Sequence, residues 1–424
     1  MVALNIGMFG GGTVGGGVYE IVEQTKKAFF QSLGVDATIS KICVRNLDKE
    51  RSFTIGEHTM LVTDFNEILE DDNINCVVEL IGGVTHAKDV VFRALQAGKH
   101  VVTANKALLA QFLPEVMELV ENTPGVLLGY EAAVCGGIPI IHNMQHSYVG
   151  DEISSVMGIM NGTTNFMLTK MELEGADYGT VLKEAQDLGF AEADPTADVE
   201  GFDVQAKIAL LAKLAFGQNV PVESVPCAGI SKLTSADFTC AKMMDCTIKL
   251  VGTATTLGDG RDRLAVYVSP VVVPLGSPLA SARGPGNIVV VGSKNLTESV
   301  YTGPGAGRYP TANSVVNDVV RMAQGLCSRP FPLSQEWRLE SDFSARFYVR
   351  VPAEDSAGVL PSVVSLAEGV GISVQSVRRV APCSGKVEIV ATTEDCKRSQ
   401  VQTLCEQAAE QAWAQGEPVW MSLL

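Results

Sequence analysis

The sequence predicts an α/β fold with more than one domain, and three observations lead to that fold class. A glycine-rich turn lies between a short apolar strand and an amphipathic helix near the N-terminus. Strand and helix patterns then alternate as far as residue 138, and a strand-helix-strand-strand-helix pattern follows residue 343. We therefore expect a Rossmann-type domain over 1–138, completed by 304–330, an α+β domain for substrate binding and oligomerisation over 139–303, and a ferredoxin-like domain over 343–424.

Length and charge restrict the class of protein. A chain of 424 residues is too long for a single hydrophobic core, which supports two or three domains. A net charge of -16 argues against nucleic acid and anionic membranes as partners, because both require basic surfaces. No apolar run approaches the roughly 18 residues of a membrane span, and no basic export signal opens the chain, so we expect a cytoplasmic protein.

The ten cysteines show no C-x-x-C pair and no spacing typical of Cys/His metal sites. In a long chain without an export signal they indicate reduced thiols, most of them buried. Only five histidines occur, which also disfavours a histidine metal site.

The glycine-rich turn is G-x-G-x-x-G in the context that dinucleotide binding requires. The strand Ala3–Phe9 precedes it, and Val18, Ile21 and Val22 follow at helical spacing. Such a turn lets backbone N–H groups at the helix N-terminus contact a pyrophosphate. The predicted cofactor-binding residues here are Gly10, Gly12, Thr13, Val14 and Gly15; the alternative is a flexible turn without a ligand.

The residue after the second strand, Ala37–Val44, decides which dinucleotide fits. An NAD site places Asp or Glu there, whereas this chain has Arg45 followed by Asn46. A cation can accept the 2'-phosphate, so NADP(H) is favoured. Asp48 lies near enough to leave NAD(H) open, and Arg45 could also be an ordinary surface cation.

Further elements continue the doubly wound pattern. They are a strand at Asn75–Gly83, a helix at His86–Ala97, a strand and loop at His100–Lys106, a helix at Leu108–Glu121 and a strand at Gly125–Val134. Ligands of such sheets bind beyond the carboxyl ends of the strands. We therefore expect Lys106 near the reactive end of the cofactor, since a lysine at a helix N-terminus opposes the macrodipole and needs another reason to be there.

The predicted second domain begins with a strand at Ile153–Met160. The polar loop Asn161–Asn165 can cap a helix that runs to Leu173. Further predicted elements are a helix at Tyr178–Leu188, paired strands at Ile248–Thr256 and Leu264–Val273 joined by a turn at Gly258–Gly260, and strands near Ile288–Gly292 and Ser299–Thr302. A helix at Thr311–Leu326 is expected to return to the nucleotide domain.

An acidic loop followed by a lysine-bearing helix is the strongest candidate for a polar substrate site. Its five carboxylates are Glu192, Asp194, Asp198, Glu200 and Asp203. If a helix begins near Gly201, Asp203 and Lys207 share one face, which could line a cleft between domains. The alternative is a solvated helix with an ordinary i,i+4 ion pair.

The tail predicts most of a βαββαβ unit. It has a strand at Ala345–Val351, a turn at Gly358–Leu360, a helix to Glu368, strands at Ile372–Arg378 and Val387–Thr392, and a closing helix.

Nearly the whole chain resembles the homoserine dehydrogenase family, in its monofunctional form with a C-terminal ACT domain. G-x-G-T-V-G at Gly10–Gly15 and T-A-N-K at Thr103–Lys106 are shared with related dehydrogenases. More specific are N-G-T-T-N at Asn161–Asn165 and E-A-D-P from Glu192, followed by Asp198, Gly201, Asp203 and Lys207. The D-x-x-G-V-L of Asp355–Leu360 is similar to the start of the first helix of an ACT domain.

The resemblance implies NAD(P)-dependent interconversion of L-aspartate 4-semialdehyde and L-homoserine, in the biosynthesis of threonine, methionine and isoleucine. It implies that Lys207 donates a proton to the substrate carbonyl and that Lys106 is shared between cofactor and substrate. Glu192, Asp198, Asp203 and Thr163 match substrate-binding positions, and Thr13, Val14, Arg45 and Gly307 match nucleotide contacts.

The resemblance also implies a monovalent cation, sodium, bound largely by backbone carbonyls of Glu131, Val134, Gly136 and Ile138. Cys135 departs from the glycine expected within this loop, and a larger side chain there could perturb cation binding. An ACT domain implies feedback by an amino acid, with threonine as the usual effector. We further expect a homodimer or homotetramer.

Two rival functions remain open from the residues alone. A phosphorylating semialdehyde dehydrogenase would need a nucleophilic cysteine, for which Cys135 is the one candidate, and no histidine is placed in the sequence to activate it. A non-catalytic sensor of nucleotide and amino acid would not need both lysines and the acidic loop.

Overall fold

The computed structural model describes residues 3–25, 29–258, 262–326, 331–380 and 387–424. Its strands are β1 (Ala3–Phe9), β2 (Asp36–Cys43), β3 (Met60–Val62), β4 (Cys76–Glu79), β5 (His100–Thr103), β6 (Leu128–Gly129), β7 (Ile153–Ile159), β8 (Cys246–Leu257), β9 (Arg263–Pro274), β10 (Gly286–Ser293), β11 (Thr297–Pro304), β12 (Arg338–Leu339), β13 (Ser344–Ala353), β14 (Val374–Val380), β15 (Val387–Thr393), β16 (Cys396–Lys397) and β17 (Val419–Leu423). Its α-helices are α1 (Thr13–Thr25), α2 (Phe29–Leu33), α3 (Asn66–Leu69), α4 (Thr85–Gln96), α5 (Lys106–Asn122), α6 (Ile140–His146), α7 (Gly162–Glu174), α8 (Tyr178–Asp187), α9 (Thr196–Val199), α10 (Phe202–Phe216), α11 (Ser235–Met243), α12 (Arg308–Ala323), α13 (Val359–Gly369) and α14 (Arg398–Ala409).

The chain divides into two compact units. The first contains Met1–Val156, Ala206–Ser224 and Val291–Glu336, and the second contains Met157–Gln205, Val225–Val290 and Trp337–Leu424. The division falls within α10. The three-domain boundaries expected from the sequence stay a prediction.

The first unit contains a six-stranded parallel sheet in the order β3-β2-β1-β4-β5-β6. This is the strand order of a Rossmann fold, with the reversal between β1 and β4. Every residue of β4 is buried, as expected for a strand covered on both faces by helices. The predicted doubly wound sheet is therefore confirmed.

Helix α12 packs on α1, as predicted for the returning helix. A Cβ on Gly17 of α1 would lie 2.9 Å from the Arg308 carbonyl oxygen and 3.0 Å from the Ala312 Cβ, so glycine permits the close approach. Val315 and Val319 of α12 are fully buried in the same core as Val18 and Val22. This packing holds the first turns of α1 against α12.

The predicted strand at Gly125–Val134 is wrong for most of its length. Only β6 pairs with β5, and a 3-10 helix follows at Glu131–Ala133. The Tyr130 ring stacks on Phe331 with centroids 4.7 Å apart, and the Glu131 N–H donates to the Asp318 carboxylate. These tertiary contacts replace the hydrogen bonds that a longer strand would make.

Lys106 is the first residue of α5, so it lies at a helix N-terminus, although the helix was predicted to start at Leu108. The Asn105 side chain caps this helix by accepting from the Leu108 N–H at 3.0 Å. The cap starts the helix two residues before the predicted start at Leu108.

The second unit contains strands in the order β8-β9-β17-β13-β15-β14. β8 and β9 pair antiparallel along twelve residues, which confirms the predicted long pair. The predicted turn at Gly258–Gly260 lies outside the described residues from position 259 onward. β17 runs parallel to β9 through Ser422 and Leu423, so the sheet of the tail continues the β8–β9 pair.

The tail has the order β17-β13-β15-β14 with antiparallel pairing throughout, which is the βαββαβ arrangement. Its core lies on the side of α13 and α14 and includes Phe347, Val349, Val363 and Val401. The closing strand β17 was not predicted. Short elements also escaped prediction, among them β3, α3, α6, α9 and α11, because segments of three to nine residues show too little periodicity.

Among the described residues, no helix has both the length and the apolarity that crossing a membrane would require.

The predicted helices of the second domain are confirmed as α7 and α8, and the predicted helix beginning near Gly201 is α10.

Candidate active site

The glycine-rich turn between β1 and α1 has the shape of a phosphate cradle. Gly10 has φ +109°, and a Cβ there would lie 2.7 Å from the Leu80 carbonyl oxygen. A Cβ on Gly15 would meet the Gly10 carbonyl at 2.0 Å, whereas one on Gly12 would have no atom of the described residues within 4 Å. The turn is therefore tightly packed at Gly10 and Gly15. It is open at Gly12, next to the helix N-terminus formed by Thr13 and Val14, where a phosphate could bind.

The loop after β2 exposes Arg45. The guanidinium of Arg51 folds this loop by donating to the carbonyl oxygens of Asn46, Leu47 and Lys49 at 2.6, 3.0 and 2.8 Å. A cation therefore stands at the end of β2, on a loop that a second arginine organises. Sequence reasoning missed Arg51, because nothing in its polar surroundings separates it from a surface cation.

A buried glutamate lies at the carboxyl end of β4. Thr103 donates its hydroxyl to Glu79 at 2.7 Å, and the Ile81 N–H donates to the other oxygen at 2.9 Å. Burial raises the pKa of Glu79. Asn105 donates to the Gly83 carbonyl at 2.6 Å, so this network ties the ends of β4 and β5 together one residue before Lys106, which is half-buried. A charged residue within the buried strand C-V-V-E was the signal that could have identified Glu79.

Gly307 precedes α12 with φ +122°, a conformation that favours glycine. The next residue, Arg308, pairs with Glu20 at 2.9 Å and donates to the Ser52 hydroxyl at 2.6 Å. These contacts fix the start of α12 against α1 and the loop after β2.

The predicted cation-binding segment contains a buried carboxyl pair. Glu131 accepts from the N–H groups of Ile141 and His142 at 2.9 and 2.7 Å, while Asp318 accepts from the Glu131 N–H at 2.9 Å. Burial raises the pKa of both carboxyls to about 8, and the charge of Glu131 adds to the effect on Asp318. The Glu131 side chain is thus held at the N-terminus of α6, and any cation ligand from this residue would be its main-chain carbonyl.

The rest of that segment is a tight turn. Cys135 and Gly136 have φ +54° and +44°, and Val134, Cys135 and Ile138 are buried. The Gly136 carbonyl accepts from the Ser314 hydroxyl at 2.6 Å, and the Ile138 carbonyl accepts from the Ile140 N–H at 2.8 Å. A carbonyl oxygen has two lone pairs, so these bonds leave the oxygen donors able to bind a hard monovalent cation.

Within the described ranges, no group of three or more His, Cys, Asp or Glu side chains could hold a metal ion.

In the second unit, Asn161 brings two of the predicted substrate carboxylates together. Its Nδ2 donates to Asp198 Oδ1 at 2.6 Å and to Asp203 Oδ2 at 2.9 Å. Its Oδ1 accepts from the Thr164 N–H at 2.9 Å and so caps α7. One amide therefore places both carboxylates at the N-terminus of α7, where the positive end of the helix dipole stabilises negative charge.

The other two predicted substrate residues are placed differently. Thr163 is buried and donates its hydroxyl to the Phe190 carbonyl at 2.6 Å. Glu192 is exposed, and its carboxylate makes no hydrogen bond to the described residues. Hence the structure joins Asp198 and Asp203 through Asn161, whereas the contact to Glu192 from the described part of the chain is to its backbone carbonyl, which accepts from Gln186 Nε2 at 3.1 Å.

Lys207 lies one helical turn after Asp203 on α10 and is buried, with a residue exposure of 8%. Asp203 is similarly buried at 9%. Such burial is unusual for lysine and contradicts a solvated surface helix.

Lys249 holds Asn165, at the end of the Asn161–Asn165 segment, in place. It is fully buried on β8 and donates to Asn165 Oδ1 at 3.2 Å and to the Ala282 carbonyl at 2.8 Å. Asn165 donates in turn to the Gly286 carbonyl at 2.9 Å. Burial lowers the pKa of Lys249 to about 8. Sequence reasoning missed this residue, although a lone lysine inside an apolar strand was a usable signal.

The Rossmann strand order and the open glycine turn are those of a dinucleotide-dependent enzyme, and the buried lysine of α10 is the candidate proton donor of the predicted site. Comparison with known proteins refines this class. Residues 10–125 match the family model of the homoserine dehydrogenase NAD-binding domain, and residues 139–320 match the model of homoserine dehydrogenase. The chain belongs to the homoserine dehydrogenase family, whose members are NAD(P)-dependent oxidoreductases of amino-acid biosynthesis.

Individual relatives agree with this assignment. Homoserine dehydrogenase of Bacillus subtilis is 38% identical over 397 residues, covering 92% of this chain and 90% of that protein. The crystal structure of a homoserine dehydrogenase from Thiobacillus denitrificans superimposes with a TM-score of 0.92 at 32% identity, covering 100% of this chain and 99% of the other. A hyperthermophilic archaeal homoserine dehydrogenase in complex with NADPH has a TM-score of 0.64 at 26% identity, covering 79% of this chain and 100% of its own.

Family membership excludes a purely non-catalytic sensor. The Cys135 thioester alternative also finds no support, because that thiol is 1% exposed and lies in a tight turn where a substrate carbonyl would have no access.

Proposed function

We propose that this chain reduces L-aspartate 4-semialdehyde to L-homoserine, with Lys207 as the proton donor. The observation that carries the proposal is the arrangement on α10 and its loop, where two carboxylates joined by Asn161 precede a buried lysine. A nicotinamide cofactor, when bound, supplies the hydride. The chain must then orient the aldehyde and neutralise the oxygen on which negative charge develops.

Lys207 suits the second task. Its ammonium group can stabilise an alkoxide as a local charge and can transfer a proton to it. Burial keeps water from competing for that charge, which strengthens the interaction. Lys106, at the first position of α5, is the second cation of the proposed site and is shared between cofactor and substrate.

The carboxylates suit the ammonium group of the substrate. Asp198 and Asp203 share one neutral donor, so their combined negative charge is not cancelled by Asn161. Thr163 holds the start of the acidic loop through its hydrogen bond to the Phe190 carbonyl. The exposed Glu192 supplies a further carboxylate to the proposed site. Lys106 or Lys207 can pair with the carboxylate of the substrate.

Steady-state turnover with L-aspartate 4-semialdehyde and NADPH tests the proposal. We expect activity in the wild-type chain and a large loss in both Lys106→Ala and Lys207→Ala. If both variants kept wild-type turnover, the assignment of these lysines would be wrong. Cys135→Ser should leave turnover unchanged, whereas a thioester mechanism would require its loss.

We also propose that the dinucleotide contacts Gly10, Gly12, Thr13, Val14, Gly15 and Gly307. Arg45 makes NADP(H) preferred over NAD(H). An exposed arginine at the end of β2 can pair with a 2'-phosphate that NAD lacks. Arg45→Ala should lower kcat/KM with NADPH by about tenfold, as for loss of a charge-assisted hydrogen bond, and leave kcat/KM with NADH unchanged. An equal effect on both cofactors would contradict the preference.

A monovalent cation is proposed at the main-chain carbonyls of Glu131, Val134, Gly136 and Ile138. The support is the chemistry of the oxygen donors and the tight turn at Cys135 and Gly136. Turnover measured in sodium chloride and in choline chloride at equal ionic strength should be higher with sodium. Equal rates would remove the cation from the proposal.

Finally, we propose that the βαββαβ tail is an ACT domain that mediates feedback by an amino acid such as threonine, in a homodimer or homotetramer. The antiparallel order β17-β13-β15-β14 and the start of α13 after Asp355–Gly358 support the assignment. Inhibition of turnover by threonine tests the feedback role. Light scattering of the full chain tests the oligomeric state.

A further inference from the structure

A buried carboxyl group to which the proposed reaction gives no part lies at the carboxyl end of β4. Glu79 and its partner Thr103, at the end of β5, are both fully buried. A carboxyl group this far from water needs hydrogen bonds from the protein. The Thr103 hydroxyl and the Ile81 N–H supply them at 2.7 and 2.9 Å, one to each carboxyl oxygen. Two neighbouring strand ends are therefore joined through one side chain.

Thr103 extends this network toward the loop after β5. Its hydroxyl oxygen accepts from the Asn105 N–H at 3.0 Å while it donates its own proton to Glu79. Each hydrogen bond in such a chain polarises the next, so the two bonds strengthen one another. The backbone of Asn105 is thus linked to the Glu79 carboxyl through a single hydroxyl group.

Asn105 in turn sets the position of Lys106. Its amide donates to the Gly83 carbonyl at 2.6 Å and accepts from the Leu108 N–H at 3.0 Å. Its backbone has φ −89° and ψ 87°, which brings the Lys106 N–H within 3.2 Å of the Ala104 carbonyl. The positive end of a helix dipole disfavours a cation, so neighbouring contacts must hold Lys106 at the start of α5.

The other oxygen of Glu79 fixes the turn after β4. Ile81, which donates to it, directly precedes Gly82 and Gly83, whose φ angles of +69° and +67° favour glycine. A Cβ on either glycine would have no atom of the described residues within 4 Å, so the turn borders open space. One carboxyl group therefore organises two loops at the sheet edge where ligands of parallel sheets bind.

We propose that Glu79 is a positioning residue for the reaction, which holds Lys106 in place through Thr103 and Asn105. This role rests on the proposed function, in which Lys106 is shared between cofactor and substrate. Displacement of a reacting group by about 1 Å can lower a rate by about 100-fold, so a buried tie of this kind can control turnover from a distance. A purely structural tie between β4 and β5 would support the fold and leave kcat unchanged.

Glu79→Gln tests this role, because it keeps the shape of the side chain and leaves one acceptor oxygen for two donors. We expect kcat with L-aspartate 4-semialdehyde and NADPH to fall by about 10- to 100-fold. Thr103→Val removes the same hydrogen bond and should give a similar loss, and Thr103→Ser should recover most of it. Glu79→Gln/Thr103→Val should lose no more than either single variant, since both changes break one interaction.

Lys99→Met is the matched control at the opposite end of β5. Lys99 is also buried, and its ammonium group donates to the Asp71 and Ile74 carbonyls at 2.7 Å each. This variant should lower the melting temperature and leave kcat unchanged well below that temperature. By contrast, Glu79→Gln/Lys106→Ala should have the kcat of Lys106→Ala alone, because positioning matters only while the lysine is present.

Hydrogen–deuterium exchange of the full chain without cofactor gives a readout that does not depend on activity. Glu79→Gln should accelerate exchange in the segment 104–109, and Lys99→Met should not. Circular dichroism melting identifies a variant that fails to fold. If Glu79→Gln fails to fold, Thr103→Val replaces it in each comparison.

Three results would overturn the positioning role. They are wild-type kcat in Glu79→Gln, an equal loss of kcat in Lys99→Met, and a further loss when Glu79→Gln is added to Lys106→Ala. Wild-type turnover in Lys106→Ala would instead contradict the proposed part of Lys106 in the reaction. An inactive wild type would contradict the proposed reaction, and the exchange comparison would still decide whether Glu79 holds the segment that contains Lys106.

Discussion

The protein contains two pairs of neighbouring carboxyl groups, and they are held in opposite ways. In the second unit Asp198 and Asp203 share a side-chain amide. In the first unit Glu131 and Asp318 are buried together and accept backbone N–H groups, and burial raises the pKa of each to about 8. The Asp198 and Asp203 carboxylates are joined through a neutral amide, whereas burial favours the protonated forms of Glu131 and Asp318 and their hydrogen bonds fix the surrounding backbone.

The difference shows that the donors and the burial around a carboxyl decide its role, since both pairs consist of the same chemical groups. Two carboxylates joined by an amide and followed by a lysine one helical turn later are proposed to act on a substrate. A pair enclosed by a helix N-terminus and a stacked tyrosine supports the fold.

The largest effect should follow the loss of the lysine that accompanies the first pair. Lys207→Met preserves the buried volume and removes the ammonium group, so kcat should fall by about 100- to 10,000-fold, the usual contribution of positioned proton transfer. Stopped-flow and steady-state assays of NADPH oxidation measure this loss of kcat. Lys183→Met, at an exposed lysine paired with Asp187 on α8, is the control and should be unaffected.

Lys249→Met tests whether the loop that holds the first pair depends on a buried amine. Burial lowers the pKa of Lys249 to about 8, while a lysine in the unfolded chain titrates near 10.4. Between these values the unfolded state binds more protons, so this group makes the free energy of unfolding rise with pH there, and the gain is lost as pH falls to about 8. The total is about 3 kcal/mol.

The variant should flatten this rise, as measured by urea unfolding across that pH range. Lys242→Met, at an exposed lysine of α11, should keep the wild-type slope. An unchanged slope in Lys249→Met would mean that Lys249 does not titrate in this window, and the proposed anchoring of Asn165 would then need another explanation.

Much of this arrangement could be predicted from the sequence. The period of the apolar residues placed β1, β2, α1 and the long β8–β9 pair, because these elements are long enough to show it. Capping chemistry placed the start of α7 at Asn161. The acidic loop and Lys207 were identified as a candidate site from their spacing together with the family resemblance.

Other features depend on contacts between distant segments and left no local signal. The predicted strand through Glu131 fails because of two residues nearly 200 positions away. Asp318 accepts a hydrogen bond from the Glu131 N–H, and Phe331 stacks on Tyr130. The bridging role of Asn161 required the loop to fold back over 37 and 42 residues.

The third prediction separates the two functions of Asn161. Asn161→Ser keeps an oxygen that can cap α7 but removes the amide that joins Asp198 and Asp203. We expect kcat/KM to fall by about 10- to 100-fold, as for lost hydrogen bonds to charged groups, with little change in melting temperature. Asp177→Ser, which makes the same kind of change at the cap of α8, should not alter kinetics, and a similar loss there would show that capping alone explains the effect.

The smallest effect on turnover should come from the second pair. Glu131→Gln keeps the main-chain carbonyl proposed for the cation but replaces one acceptor oxygen with an amino group that cannot accept from a backbone N–H of α6. At pH 9, above the pKa of about 8 for Glu131, the free energy of unfolding should fall by about 1–3 kcal/mol, the cost of an unsatisfied buried donor. Because the group touches no substrate in the proposed mechanism, kcat should be unchanged when measured well below the melting temperature. A loss of kcat comparable to that of Asn161→Ser, at unchanged stability, would mean that the buried pair takes part in the reaction and that the contrast between the two pairs is false.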